Sequence, residues 1–310
     1  MKVLGIVLFC VIALALIFLS ISYLCFRLTF FAKRNGKKDD EIETPKGEIY
    51  DPFREQMINW TKETRQMKTE EFSVVSFDGL RLYGKFYQFK EGAPIELMFH
   101  GYRGTAERDL SGAVQRCFKL KRSALIVDQR TSGKSEGKVI SFGVNEHKDC
   151  LKWIEFMVEH FGKDVEIILT GISMGASTVL MASGENLPSN VVGVLADCGF
   201  SSAKEIIKKV IKDMKLPVNL CYFFIKIGAK IFGGFNLEET SAIEQVKKSK
   251  LPTIFIHGEN DDFVPCEMSV RMYNECPNRK ELVTVKSAGH GLSYLVDNEL
   301  YFEKVTEFFK

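Results

Sequence analysis

"LTGISMGAS", residues 169–177, decides how the rest of the chain is read. It joins "VEIILTG" (165–171), short, apolar and β-branched like a buried strand, to "SMGASTVLMAS" (173–183), small and apolar like a buried helix. Ser173 stands at the junction, inside a G-x-S-x-G pattern. Such a pattern often arises by chance and is weak alone. Its context gives it weight: a sharp strand-to-helix turn lifts a hydroxyl above the sheet edge. Gly171 and Gly175 allow backbone to approach where a side chain would clash. A serine hydroxyl is a poor nucleophile at neutral pH, so a base must take its proton and a carboxylate must orient the base.

Working outward, "EFSVVSFDGLRLYGKFYQF" (71–89) reads as a hairpin turning at Asp78-Gly79. Downstream, "PIELMFHG", "SALIVDQR", "VVGVLADC", "PTIFIHG" and "ELVTVKS" read as strands. Helical-period stretches such as "ERDLSGAVQRCFKL" and "NEHKDCLKWIEFMVEHF" separate several of them. Strands repeating with helices between them predict an α/β fold, a mostly parallel central sheet flanked by helices. The alternation breaks between Cys198 and Leu251, where only helical sequence occurs. A helical cap over about 201–248 is expected, and such insertions commonly shape a site.

In this architecture the partners of Ser173 should follow in the order carboxylate, then histidine. Of the five histidines only His257 and His290 follow it. His290, in "SAGHGLS", lies between the last strand and the last helix, where a loop can carry imidazole over the turn. "FIHGENDDFVP" (255–265) offers the carboxylate: Asp261 is preferred, with Glu259 and Asp262 as rivals. His100 and His257, each before a glycine at a strand end, read as structural. His147 and His160 read as surface or half-buried residues of one helix. The Gly-Lys-Ser of "DQRTSGKSEG" is no phosphate loop, because Asp128 stands where glycine is needed and no helix follows directly. Asp128, Arg130 and Ser135 are expected to fix a turn beside the site.

The set "HGYRG", "DQRTSGKSEG", "GISMGAS", "HGENDDFVP" and "AGHG" resembles the α/β-hydrolase superfamily, in its esterase/lipase and serine aminopeptidase-like branch, over about residues 71–310. The resemblance implies Ser173 as nucleophile, His290 as general base and then acid, and Asp261 as the group fixing the imidazole. It further implies an oxyanion hole from the N–H groups of Tyr102, in "HGYRG", and Met174. The loop departs from the "HGGG" of many lipases, and the larger Tyr102 side chain could narrow an acyl pocket or supply a hydroxyl.

The chain has 310 residues, 26% charged, with net charge +2, which gives no reason to expect a nucleic-acid partner. Eight scattered cysteines show no zinc spacing, so no metal and no cofactor are implied. From Val3 to Phe26 no charge interrupts 24 residues. As a helix they would run about 36 Å, enough to cross a hydrocarbon core of about 30 Å. The run is too long, and its flanks too poor, for a cleaved signal peptide. The expected organisation is a single-pass transmembrane anchor with basic flank (1–34), a juxtamembrane linker and helix (35–70) and the hydrolase domain (71–310). Arg27, Lys33, Arg34, Lys37 and Lys38 after the span favour a cytoplasmic domain; an Asn59-Trp60-Thr61 sequon would matter only on the other side.

The function expected is a serine hydrolase that cleaves carboxylic esters through an acyl-enzyme, with a small-molecule ester or acyl substrate and membrane lipid around the anchor. The apolar residues of the cap would line an acyl pocket, touch the bilayer or simply pack on the domain. The alternatives are a serine peptidase on short peptides and a non-catalytic binding protein that kept the fold.

Overall fold

The computed structural model describes residues 2–32 and 41–310. The expected basic residues Lys33, Arg34, Lys37 and Lys38 lie outside them. Eight strands form one sheet: β1 (Glu70–Val75), β2 (Arg81–Tyr87), β3 (Ile95–Phe99), β4 (Ser123–Asp128), β5 (Ile167–Ile172), β6 (Val191–Asp197), β7 (Thr253–Gly258) and β8 (Lys280–Val285). Their order is β1-β2-β4-β3-β5-β6-β7-β8. The β1–β2 hairpin and its β2–β4 pairing are antiparallel, and every other pairing is parallel. The central strands β3, β4 and β5 are almost wholly buried, which is why they read as continuous apolar runs rather than alternating ones.

Alternate residues of these strands feed two layers. Leu97, Phe99, Leu125 and Val194 pack beneath α4 (Glu146–Phe161), α5 (Met174–Ser183) and α9 (Glu267–Glu275). Met98 and Ile126 pack under α3 (Ala106–Lys119), and Leu195, Ile254 and Ile256 under α11 (Asn298–Phe308), with the short α10 (Ser293–Val296) before it. The cap consists of α6 (Ala203–Asp213), α7 (Val218–Phe232) and α8 (Ala242–Val246). Side chains start several of these helices: Thr105, Ser202 and Asp297 each accept a hydrogen bond from an N–H of the first turn.

Two segments are more integrated than their composition implies. The apolar helix α1 (Lys2–Thr29) does not hang on a tether. Phe26 and Phe30 are buried, Ile140 donates its N–H to Phe30 O at 2.8 Å, and Ala32 donates to Lys138 O at 2.9 Å. The charged stretch expected as a linker and helix forms, over its described residues, a 3₁₀ turn, Glu48–Phe53, and α2 (Arg54–Gln66), which packs on α3. His147 also differs from expectation: it is buried, its Nδ1 3.0 Å from Gly143 O. The turn around Asp128 forms as expected. Ser135 Oγ donates to Asp128 O at 2.6 Å, and Arg130 makes two-pronged ion pairs with Asp149 and Asp78.

Candidate active site

Ser173 follows β5 and precedes α5, with φ 56° and ψ −121°. A non-glycine residue pays strain in that region, and here the surrounding backbone enforces it. Ser173 N–H donates to Asp197 O at 2.8 Å. A Cβ on Gly171 would overlap the Gly175 carbonyl, and one on Gly175 would overlap Phe99 O. Both glycines are therefore demanded by the turn itself.

His290 comes from the loop after β8. Its Nε2 lies 2.8 Å from Ser173 Oγ and its Nδ1 2.7 Å from Asp261 Oδ2. The rival Glu259 goes elsewhere, its carboxylate accepting from Thr284 Oγ1 at 2.8 Å. Asp261 Oδ1 accepts the N–H groups of Phe263 (2.9 Å) and Val264 (2.8 Å). Burial pushes this carboxyl up, but hydrogen bonds from His257 and His290, with those amides, outweigh it and hold it well below the usual carboxylate range.

His257, expected to be structural, sits directly behind this pair. Its Nε2 donates to Val264 O at 2.8 Å and lies 3.2 Å from Asp261 Oδ2. Its Nδ1 lies 2.7 Å from Ser269 Oγ. Only the short spacing to Asp261 at one strand end hinted at this in the sequence. Cys198 Sγ also lies within 4.8 Å of the Asp261 and His290 ligand atoms. Burial holds that thiol well above its ordinary pKa, so it stays protonated and makes a poor metal ligand.

The loop "HGYRG" meets Ser173 from the end of β3. Gly101 lies against Ser173, and its N–H donates to Asp109 Oδ2 at 3.0 Å. Met174 N–H opens α5, where a helix leaves its first donors without internal partners. Tyr102 N–H makes no hydrogen bond among the described residues. The Tyr102 hydroxyl is not offered to the site: it donates to Thr29 O at 2.6 Å, at the end of α1, and the ring packs on Phe142 at 4.9 Å. Arg103 Nη2 donates to Leu28 O at 2.8 Å.

A cavity of about 640 Å³ opens beside Ser173 and His290. Its lining includes Thr170, Ile172, Leu195 and Asp197 of the sheet face, Leu110 and Arg116 of α3, and Tyr294 and Tyr301. Its outer wall is the unexpected part: residues 45–50, Met57 and Trp60. Trp60 stacks on Tyr294 at 5.5 Å, and Tyr50 Oη donates to His290 O at 3.0 Å. The cap contributes only Lys209 and Asp213. Leu216, Leu220, Phe223, Phe224 and Ile231 are not in the lining, which leaves packing on the domain or contact with the bilayer of the three alternatives for the cap. They face α1 or the outside.

Among known proteins the chain is 29% identical over 191 residues to protein YqkD of Bacillus subtilis, covering 60% of this chain and 61% of that one. It is 24% identical over 221 residues to protein bem46 of Schizosaccharomyces pombe, covering 70% and 68%. The chain thus spans about three fifths to two thirds of these relatives' own length. In architecture it is similar to the Pyrococcus furiosus esterase Pf2001 (TM-score 0.64, 22% identity, 80% of this chain and 93% of that one). It is also similar to the Pyrococcus horikoshii acylaminoacyl peptidase (TM-score 0.58, 19% identity, 80% of this chain and 42% of that one). These likenesses establish the α/β-hydrolase fold. The profile of the prolyl oligopeptidase family matches residues 141–310, more than half the sequence and the whole stretch from before Ser173 to beyond His290. The chain belongs to the prolyl oligopeptidase family.

Proposed function

We propose that the protein is a serine esterase working through an acyl-enzyme. The observation that carries this is the unbroken line from Ser173 Oγ through His290 to Asp261, with steps of 2.8 and 2.7 Å. His290 Nε2 takes the Ser173 proton as Oγ attacks the ester carbonyl, and Nδ1–H stays on Asp261, which fixes the tautomer and stabilises the imidazolium. The backbone N–H groups of Tyr102 and Met174 receive the oxyanion, each contributing on the order of 3 kcal/mol. His290 then returns the proton to the leaving alcohol and activates the water that releases the acid.

An ester with a short or medium acyl group suits a cavity of about 640 Å³, walled by Trp60 and Tyr294 and floored by Thr170 and Asp197. The family match favours a second reading, hydrolysis of short peptides, since the same groups cleave amides. Helix α1 is read as a membrane anchor, single-pass, with the hydrolase domain on the cytoplasmic side because basic residues follow the apolar run.

The test uses the full chain in detergent or vesicles. Fluorophosphonate labelling is expected in the wild type and absent in Ser173→Ala. p-Nitrophenyl esters from acetyl to palmitoyl should turn over with an optimum short of palmitoyl, and aminoacyl-nitroanilides should not. Preferential cleavage of the anilides would replace the esterase with the peptidase. Folded protein that neither labels nor turns over substrate would mean a binding protein.

A further inference from the structure

We infer that the cap helix α7 is itself a membrane-contacting element, which enters the face of an anionic bilayer together with α1. This rests on reading α1 as a membrane helix and goes beyond it. The two helices run parallel and in contact. Phe18 lies 6.1 and 5.4 Å from Phe223 and Phe224, and Tyr23 and Phe26 lie 5.1 and 6.0 Å from Phe232. Phe30 meets Phe235 at 5.3 Å. The approach is close enough that a Cβ on Gly228 would come within 2.5 Å of Ser22 O.

Length then commits the occupant. The aromatic contacts with α7 begin at Phe18, and the stretch of α1 before it, from Val3 to Ile17, rises about 22 Å, less than the roughly 30 Å of a hydrocarbon core. A bilayer that takes up α1 therefore reaches the level of Phe18 and Ser22, and with it the first turns of α7. The surface there is suited to lipid. Leu216, Leu220, Phe223, Ile227 and Ile231 recur at helical spacing on one face of α7 and the turn before it. Leu220 is 58% exposed and Phe223 50%, beside an α1 whose own apolar side chains are also open. An apolar face of this extent does not stay in water without a partner.

Charge argues for the lipid surface over a second copy of the chain. Exposed Lys212, Lys215 and Lys230 flank the stripe, and none has a carboxylate within ion-pair distance among the described residues. Two copies facing each other would oppose these ammonium groups, whereas acidic headgroups would receive them while the stems lie along the apolar stripe.

The test places an indole on the stripe of the full chain, in phosphatidylcholine–phosphatidylserine vesicles whose acyl chains carry bromine at shallow or deep positions. Leu220→Trp is compared with Glu303→Trp on the far face of the sheet, each against the background of native Trp60 and Trp153. Both sites are solvent-exposed, so neither change burdens folding. The emission added by Leu220→Trp is expected to shift to the blue and to be quenched about twofold by shallow bromine, with none at Glu303→Trp. A blue shift without bromine quenching would mean protein contact between copies and overturn the inference. Emission typical of water at both sites would overturn it while leaving α1 as an anchor. Failure of the full chain to float with vesicles would overturn both readings.

Discussion

Asp261 shows what one carboxylate needs in order to serve a histidine. Two backbone amides hold Oδ1, His290 takes Oδ2, and His257 closes the remaining side. Asp261→Asn keeps the shape but offers an amide where an acceptor is needed, favouring the wrong His290 tautomer. It should lower kcat by about 10⁴-fold with little change in fold, checked by ester kinetics beside circular dichroism. In the proposed mechanism His257 would be a positioning residue, because it touches Asp261 and neither Ser173 nor His290. His257→Leu is expected to lower kcat about tenfold while KM stays put, and to cost about 2 kcal/mol by stranding Val264 O and Ser269 Oγ. Equal losses in kcat and in folded fraction would reduce it to a structural residue. The meeting of Ser173, His290 and Asp261 was legible because each sits at a strand end in the expected order. His257 was not, since its role depends on how the loop 259–264 folds back over it. That is a tertiary fact with almost no local signal.

The elements that surprise are the two that composition assigned to the outside. Segment 41–66 is charged enough to read as a linker, yet Tyr50, Phe53, Met57 and Trp60 recur at spacings of three and four, a stripe that the structure lays against α3, α10 and the cavity. That stripe was the available signal, masked by its polar neighbours. Trp60→Ala would open the wall, raising KM for medium acyl esters more than for acetyl esters, with kcat nearly constant; an unchanged chain-length profile would place the acyl group elsewhere. Helix α1 reaches the site from the other side, since its last carbonyls accept from Tyr102 and Arg103 on the loop after β3. Tyr102→Phe deletes that tie without touching the Tyr102 amide. A several-fold fall in kcat at constant KM is expected, and no fall would show that the loop holds its shape unaided. The strands themselves were legible almost to the residue, because buried parallel strands write themselves as short apolar runs between turn residues.

At the scale of the whole molecule, two carboxylates beneath the sheet set opposing pH dependences. Glu96 lies wholly buried between Arg116 and Arg122, with Thr170 Oγ1 donating to it at 3.0 Å. Burial works against its ionisation, but the two guanidiniums prevail and hold it at about 2, below its ordinary 4.5. A carboxyl depressed on folding contributes stability that is complete above 4.5 and is lost as pH falls toward 2. Asp197 is the reverse: burial lifts it from 3.8 to about 6, beyond what His257, Tyr301 and Arg116 offset. Its contribution is complete below 3.8 and is lost as pH rises through 6, because the unfolded chain ionises first. Urea unfolding across pH 3 to 8 should therefore show Asp197→Asn gaining on the wild type between pH 4 and 6, to about 3 kcal/mol at neutral pH. Glu96→Gln should lose about 3 kcal/mol at neutral pH, because two buried guanidiniums would share no anion, and the loss should shrink as pH falls from 4.5 toward 2. If Asp197→Asn instead lost stability at pH 7, the carboxylate would have to be ionised and paired in the folded state. The floor of the cavity would then present a negative charge to the bound acyl group from about pH 4 upward rather than only above about pH 6.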